Sequence, residues 1–278
     1  MATSNSVGPP FHDIQTFADT TGATEEYKEG PPEVIFSTFW KYYDSGEAYF
    51  GQVFKRVPDV TVEEIRGSLQ RIPDEDIYPE IPVGADLRIA TMIDNPKDKV
   101  YIKRPSLQTH EDPENDLKWV RDIFLEEAQV LNQVSKTNHK NIIKYHGCLV
   151  KDGRLIGIVL ERYERNLYEH FCHGRDKTVT LDVPRFMAEL ESAVYHLHSE
   201  KFAHNDLKPS NIMLDEDNMP VLVDFGSCRP FGGRLLQGGT PGWSDPSKLI
   251  NRSDKEHDIY SLERIREWLA DPNRKLKH

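Results

Sequence analysis

The run His204-Asn-Asp-Leu-Lys-Pro-Ser-Asn211, followed by Ile-Met-Leu214 and then by Val221-Leu-Val-Asp-Phe-Gly226, holds the side chains best suited to chemistry. Asp206 and Asn211 fall on a loop leading into a strand, with Lys208 between them. The short apolar Val221–Val223 reads as a second strand that delivers Asp224 to its end, with Gly226 expected to supply backbone freedom for the turn. Asn211 and Asp224 offer oxygen donors that suit Mg²⁺, which binds few protein oxygens and takes the rest from phosphates and water. Asp206 is then free to accept a proton from an attacking hydroxyl, and Lys208 to neutralise charge on a transferred phosphoryl group.

The elements that must position these residues are legible in the pattern. Thr61-Val-Glu-Glu64 has capping-box spacing and predicts a helix over 62–69. Leu87–Ile93 and Val100–Lys103 read as strands around a turn at Asn95–Asp98. Leu117, Val120, Ile123, Phe124, Val130, Leu131 and Val134 recur at the helical period and predict a helix over about 116–134. Cys148–Lys151 and Leu155–Glu161 read as strands joined by a hairpin turn at Asp152-Gly153. A further helix carries Phe186, Leu190, Val194 and Leu197 on one face and starts after Asp182 and Pro184. Strands around one helix, then helices, predict two lobes of unlike composition.

With 35 basic and 46 acidic side chains the net charge is −11, which disfavours nucleic acid or an anionic membrane as a bulk electrostatic partner. A hydrophobic fraction of 37% implies that part of the chain is solvated tail. Residues 1–33, rich in Ser, Thr, Gly, Pro and Glu, are expected to form a disordered arm, and the aromatic stretch 34–81 a folded extension. Cys148, Cys172 and Cys228 lie far apart with no metal-ligand spacing, so neither a disulfide framework nor a structural zinc site is expected. Met1–Pro10 carries no charged n-region and no apolar h-region, and the most apolar stretch, Leu155–Leu160, is far shorter than a membrane span, so an intracellular, cytoplasmic or nuclear, location is expected.

The two catalytic-type motifs, 18 residues apart from Asp206 to Asp224, resemble the H-R-D-x-x-x-x-N and D-F-G motifs of the protein kinase superfamily. An acidic loop before a strand would on its own be ordinary solvated surface; two motifs in order, each in its predicted context, are not. The resemblance implies an α+β, bilobal fold, with a β-rich N-lobe and one helix C over 82–163 and a shortened, mainly helical C-lobe over 164–278. It implies ATP and Mg²⁺ as cofactors, Asp206 as catalytic base, Lys208 as the γ-phosphate lysine, and Asn211 and Asp224 as metal ligands. Val100-Tyr-Ile-Lys103 matches the V-A-I-K strand, making Lys103 the α/β-phosphate lysine. Glu127 would pair with it, with the neighbouring Glu126 as the alternative; Glu127 is preferred because it lies on the apolar stripe. Leu160-Glu161-Arg-Tyr163 resembles the hinge whose backbone meets adenine, Asn141–Gly147 the turn after helix C, Gly239-Thr-Pro-Gly-Trp243 the G-T-P segment, and Asp258 the buried aspartate of helix F. His204 would be structural, and the other histidines surface or packing residues.

Four positions depart from the family pattern. Pro82–Ala90 contains one glycine, Gly84, where a glycine-rich phosphate cradle belongs. Tyr101 replaces the alanine that roofs adenine, so its phenol is expected to fill adenine space unless it rotates away. Asn205 replaces the H-R-D arginine, so any activity is expected to be constitutive rather than switched by phosphorylation at Ser227 or Thr240. Ser247 stands at the A-P-E glutamate, and twenty residues beyond Asp258 are too few for helices G to I. Three functions fit: phosphoryl transfer to a protein serine or threonine hydroxyl, transfer to a small-molecule hydroxyl, and a pseudokinase interaction module. The intact Lys103, Asp206, Asn211 and Asp224 place the first ahead. The acceptor and oligomeric state are open at this stage.

Overall fold

Aromatic and β-branched residues fill a pleated surface well, and the run after Val34 folds accordingly. In the computed structural model, which describes residues 11–27, 34–91, 99–107, 117–172, 181–236, 239–248 and 251–271, β1 (Gly22–Tyr27), β2 (Val34–Tyr42), β3 (Ala48–Val53) and β4 (Gln70–Ile72) make an antiparallel sheet in that order. Helix α1 (Val62–Ser68) begins at Thr61, whose hydroxyl accepts from Glu64 N while the Glu64 carboxylate accepts from Thr61 N, the expected capping box. Phe39 and Tyr49 of the sheet meet Ile65 and Leu69 of the α1 region in a core completed by Ile14. A short helix, α2 (Asp74–Ile77), follows β4.

Residues 11–27 depart from the expected disordered arm. Ile14 is fully buried, its carbonyl accepts from Arg66 Nε, and β1 pairs with β2 along its length. Composition underestimates this segment because its order comes from a backbone ladder and one apolar anchor rather than from many apolar side chains. The chain divides into two compact units. One consists of Met1–Ile81, Arg104–Asp122 and Lys151–Gly157, the other of Pro82–Lys103, Ile123–Val150 and Ile158–His278.

The second unit carries the candidate site. Strand β5 (Val100–Lys103), helix α3 (Lys118–Val134, in this unit from Ile123), β6 (Tyr145–Lys151, in this unit to Val150) and β7 (Arg154–Glu161, in this unit from Ile158) are its first elements, with the sheet ordered β5-β7-β6. Asp152 and Gly153, at φ 50° and 73°, form the turn between β6 and β7 that their dipeptide predicts. After α4 (Leu167–Cys172) comes α5 (Val183–Ser199), capped by the Asp182 carboxylate on Arg185 N and burying Phe186, Leu190, Val194 and Leu197. Four short strands follow: β8 (Phe202–Ala203), β9 (Ile212–Leu214), β10 (Pro220–Leu222) and β11 (Arg229–Pro230); β9 pairs with β10 and β8 with β11. The last described helix is α6 (Lys255–Ala270).

Of the expected strand over 87–93, the described residues 87–91 form only an isolated bridge at Ile89, and residues 92 and 93 lie outside the described residues. Arg88–Ala90 instead lies on the outer edge of β6, where Cys148 N donates to Arg88 O at 2.7 Å and Ala90 N to Cys148 O at 2.9 Å. Asn132 of α3 fixes the preceding residues, accepting from Arg88 N and donating to Asp86 O. One side-chain amide and a single parallel bridge to Cys148 thus stand where an alternating pattern suggests a longer ladder. The expected turn at Asn95–Asp98 lies outside the described residues.

Gly147 admits this segment. Its φ is +129°, and a Cβ there would come within 2.7 Å of Ala90 N and 2.9 Å of Arg88 O. Gly147→Ala is expected to destabilise the protein by roughly 2 kcal/mol, read as a lower urea midpoint at unchanged m-value; an unchanged midpoint would contradict this packing.

Candidate active site

Lys103 ends β5, held in register by antiparallel pairing of Lys103 with Ile158 and Tyr101 with Leu160. Its Nζ lies 2.7 Å from Glu127 Oε1 and 2.7 Å from Asp224 Oδ1. Glu127 is buried because α3 turns one stripe inward, Phe124, Ala128, Leu131 and Val134 among its members. Phe225 N also donates to Glu127 Oε1, at 3.1 Å. The alternative partner, Glu126, pairs instead with Arg229.

Asp224 follows β10, which is buried throughout and anchored by Asn141, whose Nδ2 donates to Pro220 O and whose carbonyl accepts from Leu222 N. The left-handed residue at this turn is Asp224 itself, at φ 60°; Gly226, expected to supply that freedom, lies in a single 3₁₀ turn without positive φ. The strain at a non-glycine residue is offset by the Lys103 ion pair.

The charges are mutually adjusted. The Lys103 ammonium holds the Asp224 carboxyl down at about 2, against the opposing effect of burial. The stability this pair adds is therefore present above the ordinary carboxylate range and is lost as pH falls through about 2. Burial pushes the Glu127 carboxyl up, with Lys103 acting against it. At Lys103 burial opposes the ammonium, but the two carboxylates together outweigh it and raise its affinity for the proton.

Asp206 sits on the loop between β8 and β9. Its Oδ2 accepts from Lys208 Nζ at 2.9 Å and Asn211 Nδ2 at 3.2 Å, and its Oδ1 from Thr240 N at 3.0 Å and Thr240 Oγ1 at 2.8 Å. Lys208 Nζ also reaches Thr240 Oγ1 at 2.7 Å. Thr240 is thus a site residue that motif reading left outside the catalytic set, although its G-T-P context was the available signal. The loop is braced from beneath by Asp258, fully buried, whose carboxylate accepts from His204 N, Asn205 N and His198 Nε2. His204 is itself buried and bonded to Val223 O, linking the two motif loops.

The donor set fits a hard divalent cation bound together with phosphate. Asn211 Nδ2 is committed to Asp206, at 2.9 Å to its carbonyl, which directs the amide oxygen elsewhere, and the ionised Asp224 keeps a second oxygen beyond the one facing Lys103. Among the described residues no group of three His, Cys, Asp or Glu side chains is gathered as a metal cage.

Where adenine was expected, the picture is mixed. Tyr101 shares the face of β5 that carries Lys103 and is 53% exposed, so its ring stands in solvent rather than in a packed core. At the expected hinge, Glu161 N is spent on Lys144 O and Arg162 N on Lys99 O, and the Glu161 carboxylate is bonded to His146 Nε2. Tyr163 N has no backbone partner among the described residues. Residues 86–90, beside the β6 edge, are separated from β5 by two strands, so they do not cover Lys103 as a phosphate loop would.

Comparison with known proteins agrees with this geometry. The model of the protein kinase domain matches residues 89–265. The chain is 30% identical over 134 residues, 44% of its length, to the maternal embryonic leucine zipper kinase of Xenopus laevis, of which it covers 21%. It is 28% identical over 142 residues to a G-type lectin S-receptor-like serine/threonine-protein kinase of Arabidopsis thaliana, covering 46% of this chain and 17% of that protein. It is 29% identical over 187 residues to the fatty acyl-CoA synthetase and RNA processing-associated kinase 1 of Saccharomyces cerevisiae, covering 62% of this chain and 20% of that protein. These relatives are several times longer than the stretch they share with this chain. With the domain match spanning more than half of its residues, and with Lys103, Glu127 and Asp224 brought together as described, the chain belongs to the protein kinase family.

Proposed function

We propose that the chain transfers the γ-phosphoryl group of MgATP to a serine or threonine hydroxyl of a protein. The observation that carries this reading is the position of Lys103 Nζ, 2.7 Å from both Glu127 and Asp224, in the same unit as the Asp206–Lys208–Thr240 cluster. Lys103 binds and neutralises the inner phosphates, held upright by Glu127. Asn211 and Asp224 hold Mg²⁺, which when bound offsets charge on the phosphate oxygens. Asp206 orients the acceptor hydroxyl and takes its proton as the hydroxyl oxygen bonds to the γ-phosphorus and ADP departs with the bridging oxygen. Lys208, adjacent to Asp206, stabilises charge on the group in transit. Since Thr240 already bonds Asp206 Oδ1, the acceptor hydroxyl enters by displacing the Thr240 hydroxyl or sharing its acceptor.

A second reading, a pseudokinase module that binds partners without catalysis, is favoured by one observation: the segment in the place of a glycine loop lies across the sheet from Lys103. A thermal-shift titration with MgATP separates the two. Ligand at about 100 times its dissociation constant stabilises by roughly 2.7 kcal/mol, several degrees in Tm. A shift in wild type that is lost in Asp224→Asn is expected; no shift in either protein favours the module. Phosphate transfer to peptides, tested beside small hydroxyl compounds, then distinguishes a protein kinase from a small-molecule phosphotransferase.

A further inference from the structure

Two carboxylates, Glu127 and Asp224, converge on the single Lys103 ammonium, each at 2.7 Å. Rotation of α3 would break this arrangement by carrying Glu127 away from Lys103. What opposes the rotation is visible one residue earlier on the helix. Glu126, two-fifths exposed, is ion-paired through one carboxylate oxygen with Nη2 of Arg229, a buried side chain whose Nη1 donates to Cys228 O at 2.7 Å.

Arg229 is a rigid anchor. Its backbone lies in β11, paired with Ala203 just before the catalytic loop, and its carbonyl accepts from Ser253 Oγ at 2.9 Å. Ser253 in turn accepts from Asn205 Nδ2 at 3.0 Å, and that amide also reaches Ala203 O at 2.8 Å and Ser227 O at 3.0 Å. The Asn205 amide oxygen accepts from His257 Nδ1 at 3.0 Å and Asp254 N at 3.3 Å. A neutral amide, engaged at both ends, therefore ties the catalytic loop to the start of the segment after Asp224 and to the N-terminus of α6. It presents no cation to an added phosphate, while the cation that is present already has its carboxylate on α3.

We propose that Arg229 is a positioning residue that acts through Glu126 to hold α3 in the rotation at which Glu127 meets Lys103, so that this arrangement needs no phosphate on the segment beyond Asp224. The consequence for catalysis rests on the kinase reading above; the positioning itself does not.

Hydrogen–deuterium exchange on the full chain tests it. Arg229→Met is expected to speed exchange of the α3 amides Phe124–Leu131 tenfold or more while α5 stays protected. Glu126→Gln, a change at a partly exposed side chain that the fold tolerates, should do the same, and Arg229→Lys should restore most of the protection. The reversed pair, Glu126→Arg with Arg229→Glu, should recover protection that either reversal alone removes. Phosphatase treatment of the wild type should leave α3 exchange unchanged. If Arg229→Met loosens α5 as well, Glu126→Gln decides. Unchanged α3 exchange in Glu126→Gln, no recovery in the reversed pair, or loosening of α3 by phosphatase would each overturn the proposal. A parallel phosphotransfer assay should show kcat falling at least tenfold in Arg229→Met with acceptor KM unchanged. A wild type that transfers no phosphate, yet shows the exchange pattern, would count against the kinase reading and leave the positioning role standing.

Discussion

Asp206→Asn is expected to lower phosphotransfer by roughly 10²- to 10⁴-fold, the usual worth of a positioned general base. The substitution keeps the volume and the acceptor oxygen that Thr240 uses but removes the charge opposite Lys208 and the site that takes the hydroxyl proton. MgATP binding, proposed above for Lys103, Asn211 and Asp224, should change by less than about threefold, because among the described residues Asp206 meets these three through the Asn211 amide nitrogen. The split is the informative part: kcat falls while the thermal shift with MgATP persists. Activity within a factor of two of wild type would remove Asp206 from the mechanism, and joint loss of binding and turnover would show that it serves the nucleotide site instead.

The second large effect concerns stability. Asp258→Ala is expected to cost about 3–5 kcal/mol, because it strips the acceptor from two buried backbone N–H groups and from His198 at once. Set against a typical total of about 5–15 kcal/mol, that is a large share. The catalytic loop would lose its floor first, since His204 and Asn205 are the residues whose amides are freed. Urea unfolding measures the loss directly, and a change below about 1 kcal/mol would show that water or a rearranged α6 replaces the carboxylate. Asp258→Asn should fall between wild type and alanine, since an amide keeps one acceptor oxygen but loses the charge.

Much of this fold was readable from short-range pattern. The Thr61–Glu64 box, the Asp152-Gly153 turn and the inward stripes of α3 and α5 involve residues within a few positions of one another, where local geometry dominates. The order of the N-terminal segment was less readable, because the strand Gly22–Tyr27 gains its stability from β2 and from Ile14 in the core rather than from its own side chains. The path of residues 86–90 was misread for a related reason: an alternating pattern announces a strand, but Asn132 and Gly147, far away in sequence, decide where that backbone finds its partners.

At the site, residue types and spacing alone placed Asp206, Lys208 and Asn211 on one side of a pair of short strands and Asp224 on the other, and the pairing of those strands brings the Asn211 and Asp224 ends together. Tertiary structure decided the rest. Adjacent residues on a helix point about 100° apart, so the apolar stripe already preferred Glu127 to Glu126 as the partner of Lys103, as the structure has it; what the stripe left open was the partner of Glu126, and packing against β11 made that Arg229. The same packing moved the left-handed turn from Gly226 onto Asp224 and brought the Thr240 hydroxyl to the Asp206 carboxylate, since both arrangements depend on partners that only the folded chain brings within reach.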